Sequence, residues 1–255
     1  MKIYVALGVD CDPDRDRLPS LCFKGVESLH KLFSIENVRW TLNYRLDKEV
    51  NVCSTEIKTP FYPKTEIACH IHYCKPDGSQ DFSDKNIDET IKMGVFSYDT
   101  VHVGWCYNSQ HSEALNDYSP LPGCRISQNC DWIGWGLRHQ NRYGKRMIPT
   151  YTAPFTWFYR RILGKQSGNR FMLHPTVSPL LYRPFIRSWF KSGLDYFVTY
   201  FHADELISAL PDYRKHLYSF KNLKSNIKYF KSMAKKYGHD IEWVTIRELG
   251  EVLWK

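Results

Sequence analysis

Apolar residues run almost unbroken from Ile3 to Val9, and the run stops at Asp10. A stretch of that length without polar alternation predicts a strand buried on both faces, as in a parallel sheet. Over residues 22–34 the spacing changes: Phe23, Val26, Leu29, Leu32 and Phe33 recur at helical intervals. Residues 38–44 predict a second strand, and 66–73 a third, short one that ends in histidines. Short helices are expected at 86–93 and 111–117. From 118 to 180 the pattern dissolves into segments rich in Pro, Gly and aromatics, with strands expected near 147–153 and 169–174. The pattern then sharpens. Residues 196–201 predict a strong strand closed by His202, and 219–237 a long amphipathic helix. Phe220, Leu223, Ile227, Phe230 and Met233 line one side of that helix, and Lys221, Lys224, Lys228, Lys231 and Lys235 the other. A strand at 241–245 and a helix at 246–254 follow.

Strand and helix alternate over much of this length, which predicts an α/β fold with parallel strands. No repeat, low-complexity tract or composition break divides the chain, so residues 1–255 are expected to form one domain. That length suits an α/β barrel, in which the carboxyl ends of all strands meet at one face. Asp10 and Asp12 follow the first strand, His70 and His72 end the third, and His202 ends another. Three separate segments thereby deliver ligand-type side chains to one rim.

The aspartates continue as Asp14 and Asp16, but a calcium-binding EF-hand loop needs Gly at its sixth position and Glu at its twelfth. Counted from Asp10, those positions hold Arg15 and Leu21. Asp-x-Asp also occurs in nucleotide-sugar glycosyltransferases, yet no nucleotide-binding segment accompanies it. The histidines point elsewhere. Residues two apart on a strand face one side, so His70 and His72 can reach a single metal. His70 and Cys74, at helical spacing, form the competing pair. One carboxylate and two nitrogens leave a fourth position for water, which is the open site a catalytic metal needs.

The order Asp10-x-Asp12, then Glu66-Ile67-Ala68-Cys69-His70, then Arg125, then Phe201-His202 resembles the polysaccharide deacetylase (NodB homology) family, carbohydrate esterase family four. The resemblance is closest to branches with Asp-x-Asp in the first motif, which include lipid-linked sugar deformylases. It implies a distorted (β/α) barrel of about seven parallel strands. It further implies a metal-dependent deacetylase or deformylase that removes an N-acyl group from an amino-sugar, in surface-polysaccharide or lipid-linked glycan synthesis. By this resemblance Asp10 is the general base, Asp12 and His70 bind the metal, Arg125 orients the base and His202 is the general acid. The family's usual second histidine falls on Cys74, so His72 is taken as the third ligand, with Cys74 as the alternative. No aspartate is assigned to tune His202. These two departures support an alternative: a catalytically inactive relative that binds a glycan or a partner protein.

Charge and composition narrow the partners. The net charge of +8 favours anionic partners. Its cations are spread along the chain without an arginine-rich block or a zinc-finger spacing, so nucleic acid is not expected. The densest basic stretch, 215–236, reads as the solvated face of a helix and leaves peripheral membrane contact open. Aromatics make up 15% of the chain, enough for a rich core or for stacking on sugar faces, with Trp132, Trp135, Trp157 and Phe158 in the irregular segment. His174, after a strand-like run, can also reach the rim. Eight cysteines without a recognisable secretory segment predict reduced thiols and a cytoplasmic location. The expected substrate is an acylated amino-sugar linked to a nucleotide or to polyprenyl phosphate, and the expected cofactor is a divalent metal, zinc by the nitrogen donors.

Overall fold

A computed structural model describes residues 1–11, 19–45, 65–71, 101–103, 130–133, 146–149, 152–154, 170–207 and 218–253. The elements run β1 (Lys2–Cys11), α1 (Pro19–Glu36), β2 (Trp40–Arg45), β3 (Thr65–Ile71), β4 (Val101–Val103), β5 (Cys130–Ile133), β6 (Arg146–Pro149), β7 (Thr152–Pro154) and β8 (Arg170–Met172). Then come α2 (Pro179–Lys191), β9 (Tyr196–His202), a 3-10 turn (Ala203–Leu206), α3 (Phe220–Lys236), β10 (Asp240–Val244) and α4 (Ile246–Leu253).

The fold is α/β, built on a curled, largely parallel sheet that forms a half-barrel. Among the described residues β1, β2, β3, β4, β9 and β10 are joined by parallel pairings, while β5 and β6 continue the sheet antiparallel. β7 and β8 form a separate antiparallel pair. The central strand is β1. One of its edges pairs with β9 from Tyr4 to Asp10, and the other is divided between β10, along Lys2–Ala6, and β2, along Gly8–Cys11.

Alternation along β1 explains both layers. Ile3, Val5, Leu7, Val9 and Cys11 are buried in one cluster with Val26, Leu29, Leu32 and Phe33 of α1, and with the apolar faces of α2 and α3. Trp189, Phe197 and Phe230 pack at its centre with ring centroids 5.4–5.5 Å apart. The opposite face carries Ala6, which joins Val198, Val244, Ile246 and Leu249 in a smaller cluster beneath α4. On that same face the side chains change from apolar at Ala6 to Gly8 and then Asp10. The interior is therefore oily towards the amino ends of the strands and polar towards their carboxyl ends.

A buried polar joint ties the apolar end together. Glu66 of β3 accepts the Thr41 hydroxyl at 2.9 Å and the Arg247 backbone N–H at 3.2 Å, and the Thr41 hydroxyl accepts the Ile246 N–H at 2.9 Å. Thr245 and Glu248 cap α4 reciprocally. Glu66, read in sequence as part of a catalytic motif, thus has a structural task. It satisfies the N-terminal amides of α4, where a carboxylate also suits the helix dipole.

Most predicted elements are present within one to three residues. The segment expected at 147–153 divides into β6 and β7. The helices expected at 86–93 and 111–117 lie outside the described residues. β4 and β5 are additions, and so is α2, where Leu181, Tyr182, Phe185, Ile186, Trp189 and Phe190 are buried at helical spacing. Pro184 hides that helix from a reading of breakers, although its ring falls on the exposed side. No helix among the described residues is long and apolar enough to cross a membrane.

Close packing of α1 fixes the turn after β9. A Cβ on Gly25 would lie 2.1 Å from the Ala203 carbonyl oxygen, a backbone atom that has no rotamer to escape into. Gly25→Ala is expected to cost about 1–3 kcal/mol, seen as a fall in Tm. An unchanged Tm would show that α1 does not press on this turn.

Candidate functional site

The parallel register places Asp10 level with Asn43 on β2 and with His202 on β9. Asp10 and Asn43 are buried, at 2% and 1% exposure. A carboxylate so deeply placed requires hydrogen bonds in place of water, and Asn43 Nδ2 donates to Asp10 Oδ1 at 2.8 Å. Because a carboxylate only accepts, this contact also fixes which way the Asn43 amide is turned. Asn43 Oδ1 is left buried with no hydrogen-bond partner among the described residues. Gly8 makes room for this pair: a Cβ there would come within 2.8 Å of Asn43 Nδ2 and 3.1 Å of Tyr200 Cβ.

On the other side, His202 Nε2 stands 3.9 Å from Asp10 Oδ2. That is beyond hydrogen-bond length, but one oxygen or nitrogen atom about 2.8 Å from each could bridge them. The far edge of the ring is occupied. His202 Nδ1 donates to Glu205 Oε1 at 3.2 Å, which leaves Nε2 as the nitrogen on the Asp10 side. Glu205 stands on the 3-10 turn three residues beyond His202, and its second oxygen accepts the Thr176 hydroxyl at 2.8 Å.

A second imidazole completes the group. His174 Nδ1 lies 3.6 Å from Glu205 Oε1, too far for a hydrogen bond yet close enough for strong charge coupling. Its ring packs against Tyr200 and Tyr218, with centroids 5.4 and 5.9 Å away. The segment that carries it is pinned: Leu173 O accepts the Thr199 hydroxyl, and Asn226 Nδ2 donates to both Pro175 O and Val177 O at 2.8 Å. Carboxylate and imidazole therefore alternate in the order Asp10, His202, Glu205, His174. Burial alone would push the Glu205 carboxyl up. The charge of His174, with the charge and hydrogen bond of His202, outweighs burial and holds the carboxyl well below the usual carboxylate range.

Of the residues singled out in sequence, the structure brings Asp10 and His202 together on adjacent strands. His70 takes its register position at the carboxyl end of β3, level with Arg45 on β2 and His102 on β4. Asp12, His72, Cys74 and Arg125 lie outside the described residues. Among the described residues no three His, Cys, Asp or Glu side chains gather as a metal-binding group. Sequence reasoning missed Asn43 and the part played by Glu205. The signal for Glu205 was an acid three residues after a strand-end histidine; Asn43 had none, because only the register sets it beside Asp10.

Comparison with protein families, with curated proteins and with solved structures gave no match.

The Glu205 carboxyl is more acidic in the folded than in the unfolded chain, so its ionisation favours the native state above the ordinary glutamate pKa of 4.5. That contribution is lost as pH falls from there through the lower folded value. Glu205→Gln is expected to flatten the acid limb of Tm plotted against pH. An acid limb as steep as the wild type's would show that the carboxylate is not held in this way.

Proposed function

We propose that this chain is a metal-dependent amide hydrolase that removes an acetyl or formyl group from the nitrogen of an amino-sugar. The reading takes the curled sheet as the described part of a distorted (β/α) barrel of the NodB-homology type, with about seven parallel strands. The observation that carries it is the Asp10–His202 pair. A buried carboxylate and an imidazole face each other across 3.9 Å at the carboxyl edge of the sheet, with the imidazole's other nitrogen held by Glu205. Base and acid of this kind are what amide hydrolysis needs: one group to take the proton of water, and one to protonate the departing amine.

The residues that would hold a divalent metal are Asp12, His70 and His72, with Cys74 as the alternative to His72. The donor types suit a cation, and the neighbouring residues supply a base. The donors are oxygen and nitrogen, as zinc prefers. Asn43 Oδ1 is a buried acceptor with no hydrogen-bond partner among the described residues. Asp10, held by Asn43 and standing beside His202, takes the role of base rather than of ligand. When bound, the metal supplies carbonyl polarisation and a more acidic water.

The chain's own residues do the rest. Asn43 fixes Oδ1 of Asp10, and Oδ2, on the His202 side, accepts a proton from water. Arg125 keeps Asp10 ionised. Glu205 holds the His202 tautomer that presents Nε2, from which a proton passes to the leaving nitrogen, and its negative charge supports the imidazolium in that step. The substrate is an acylated amino-sugar carried on a nucleotide or a polyprenyl phosphate, whose phosphates suit a chain of net charge +8.

The non-catalytic alternative rests on two departures from the family pattern. With Glu205 at 3.2 Å from His202 Nδ1, the histidine has a carboxylate partner. Only the cysteine at position 74 still favours that reading.

Purified protein supplied with zinc is expected to release acetate or formate from N-acyl amino-sugars. Asp10→Asn should lower kcat by about 10²–10⁴-fold while zinc stays bound, and His70→Ala should lose the zinc. A wild-type protein that binds no transition metal would end the hydrolase reading. Tight zinc binding without turnover on any N-acyl sugar would favour the binding role.

A further inference from the structure

α2 and α3 lie side by side on the outer layer, and neither contains a single Asp or Glu. They run in the same direction, since Arg183 and Arg187 of α2 meet Ser225 and Tyr229 of α3 in order. The two arginines straddle one ring. Arg183 Cζ is 5.0 Å and Arg187 Cζ 5.9 Å from the Tyr229 centroid, while Arg187 Nε donates to the Tyr229 hydroxyl at 2.6 Å. Like charges four residues apart on a helix repel, yet both guanidiniums are fixed in place here. No carboxylate among the described residues lies within salt-bridge distance of either. Lys191 continues the stripe on α2, and exposed Lys221, Lys224 and Lys228 widen it on α3, likewise without a carboxylate in salt-bridge distance among the described residues.

An ordinary solvated face mixes signs; this one is of a single sign over two packed helices. It also carries an apolar residue. Leu180, three positions before Arg183 and seven before Arg187, is 83% exposed at the start of α2. Polyanions such as nucleic acid would need only the cations. A leucine beside basic side chains matches a bilayer surface, where lipid headgroups meet the charges and the acyl boundary accepts the apolar tip.

We propose that the α2–α3 face docks the protein on the surface of an anionic membrane. The two arginines bracing Tyr229 form the fixed centre of the contact, the lysines its electrostatic margin, and Leu180 its shallow insertion. This docking does not depend on the hydrolase reading, because none of these residues belongs to the candidate site.

Flotation with vesicles of phosphatidylcholine, with and without phosphatidylglycerol, tests it. The wild type is expected to float with the anionic vesicles, to ignore the neutral ones, and to be released by high salt. The double variant Arg187→Ala, Lys228→Ala should bind about 25-fold more weakly, at about five-fold per cation removed. Leu180→Ser should weaken vesicle binding while leaving retention on a heparin column unchanged. Both changes are at the surface, and far-UV circular dichroism checks the fold. Should the double variant fail to fold, Leu180→Ser together with the salt and lipid dependence of the wild type still decides. Absence of binding to anionic vesicles overturns the proposal. So does a Leu180→Ser variant that floats like the wild type, the outcome expected of a nucleic-acid or other polyanion surface.

Discussion

The arrangement depends on a single strand being hydrogen-bonded along both edges to three others. β1 holds β9 along one edge and divides the other between β10 and β2. Since side chains alternate along it, the same ten residues serve the oily layer beneath the helices and the interior of the half-barrel. Register then does what no local preference could. It puts a carboxylate, an amide and an imidazole from three distant parts of the chain on one level.

Around that level the polar groups are rigid because each is held by something already fixed. Asn43 needs the space above Gly8, and Glu205 rides on a turn against which Gly25 lets α1 pack closely. The loop bearing His174 is tied to β9 and α3 through Thr199 and Asn226. Each carboxylate of the group Asp10, His202, Glu205 and His174 has an imidazole as neighbour, and each imidazole a carboxylate, the arrangement that lets charge persist away from water. Cations with no carboxylate partner among the described residues are instead displayed on the outer layer, at Arg183, Arg187 and Lys191 of α2 and at Lys221, Lys224 and Lys228 of α3.

Much of the frame was legible in the sequence because its signals are local. The run from Ile3 to Val9, the helical spacing on α1 and α3, and the strand closed by His202 each depend on hydropathy within a dozen residues. What stayed hidden depends on partners far away in the chain. α2 was masked by Pro184, which is harmless only because it faces outwards. Asn43 looked like any polar residue in a strand until pairing set it beside Asp10. Glu66, which stood in a motif-like string, turned out to serve the amides of α4, 181 residues away. Asp10 and His202 were readable as strand-end residues, whereas the coupling of His202 to Glu205 and His174 required the 3-10 turn and the loop before α2.

The position of β1 also has a consequence for how the chain assembles. Its partners along most of its length, β9 and β10, come about 190 and 240 residues later. On a ribosome, β2 would follow β1 closely and pair with its carboxyl end, but the edge that β9 takes would stay open until about 190 further residues had followed. Contacts closed over such distances make folding slow, and an exposed hydrophobic strand is open to mispairing meanwhile. The edge of β1 that β9 comes to cover is thus the part of this architecture most open to a wrong partner before the chain is finished.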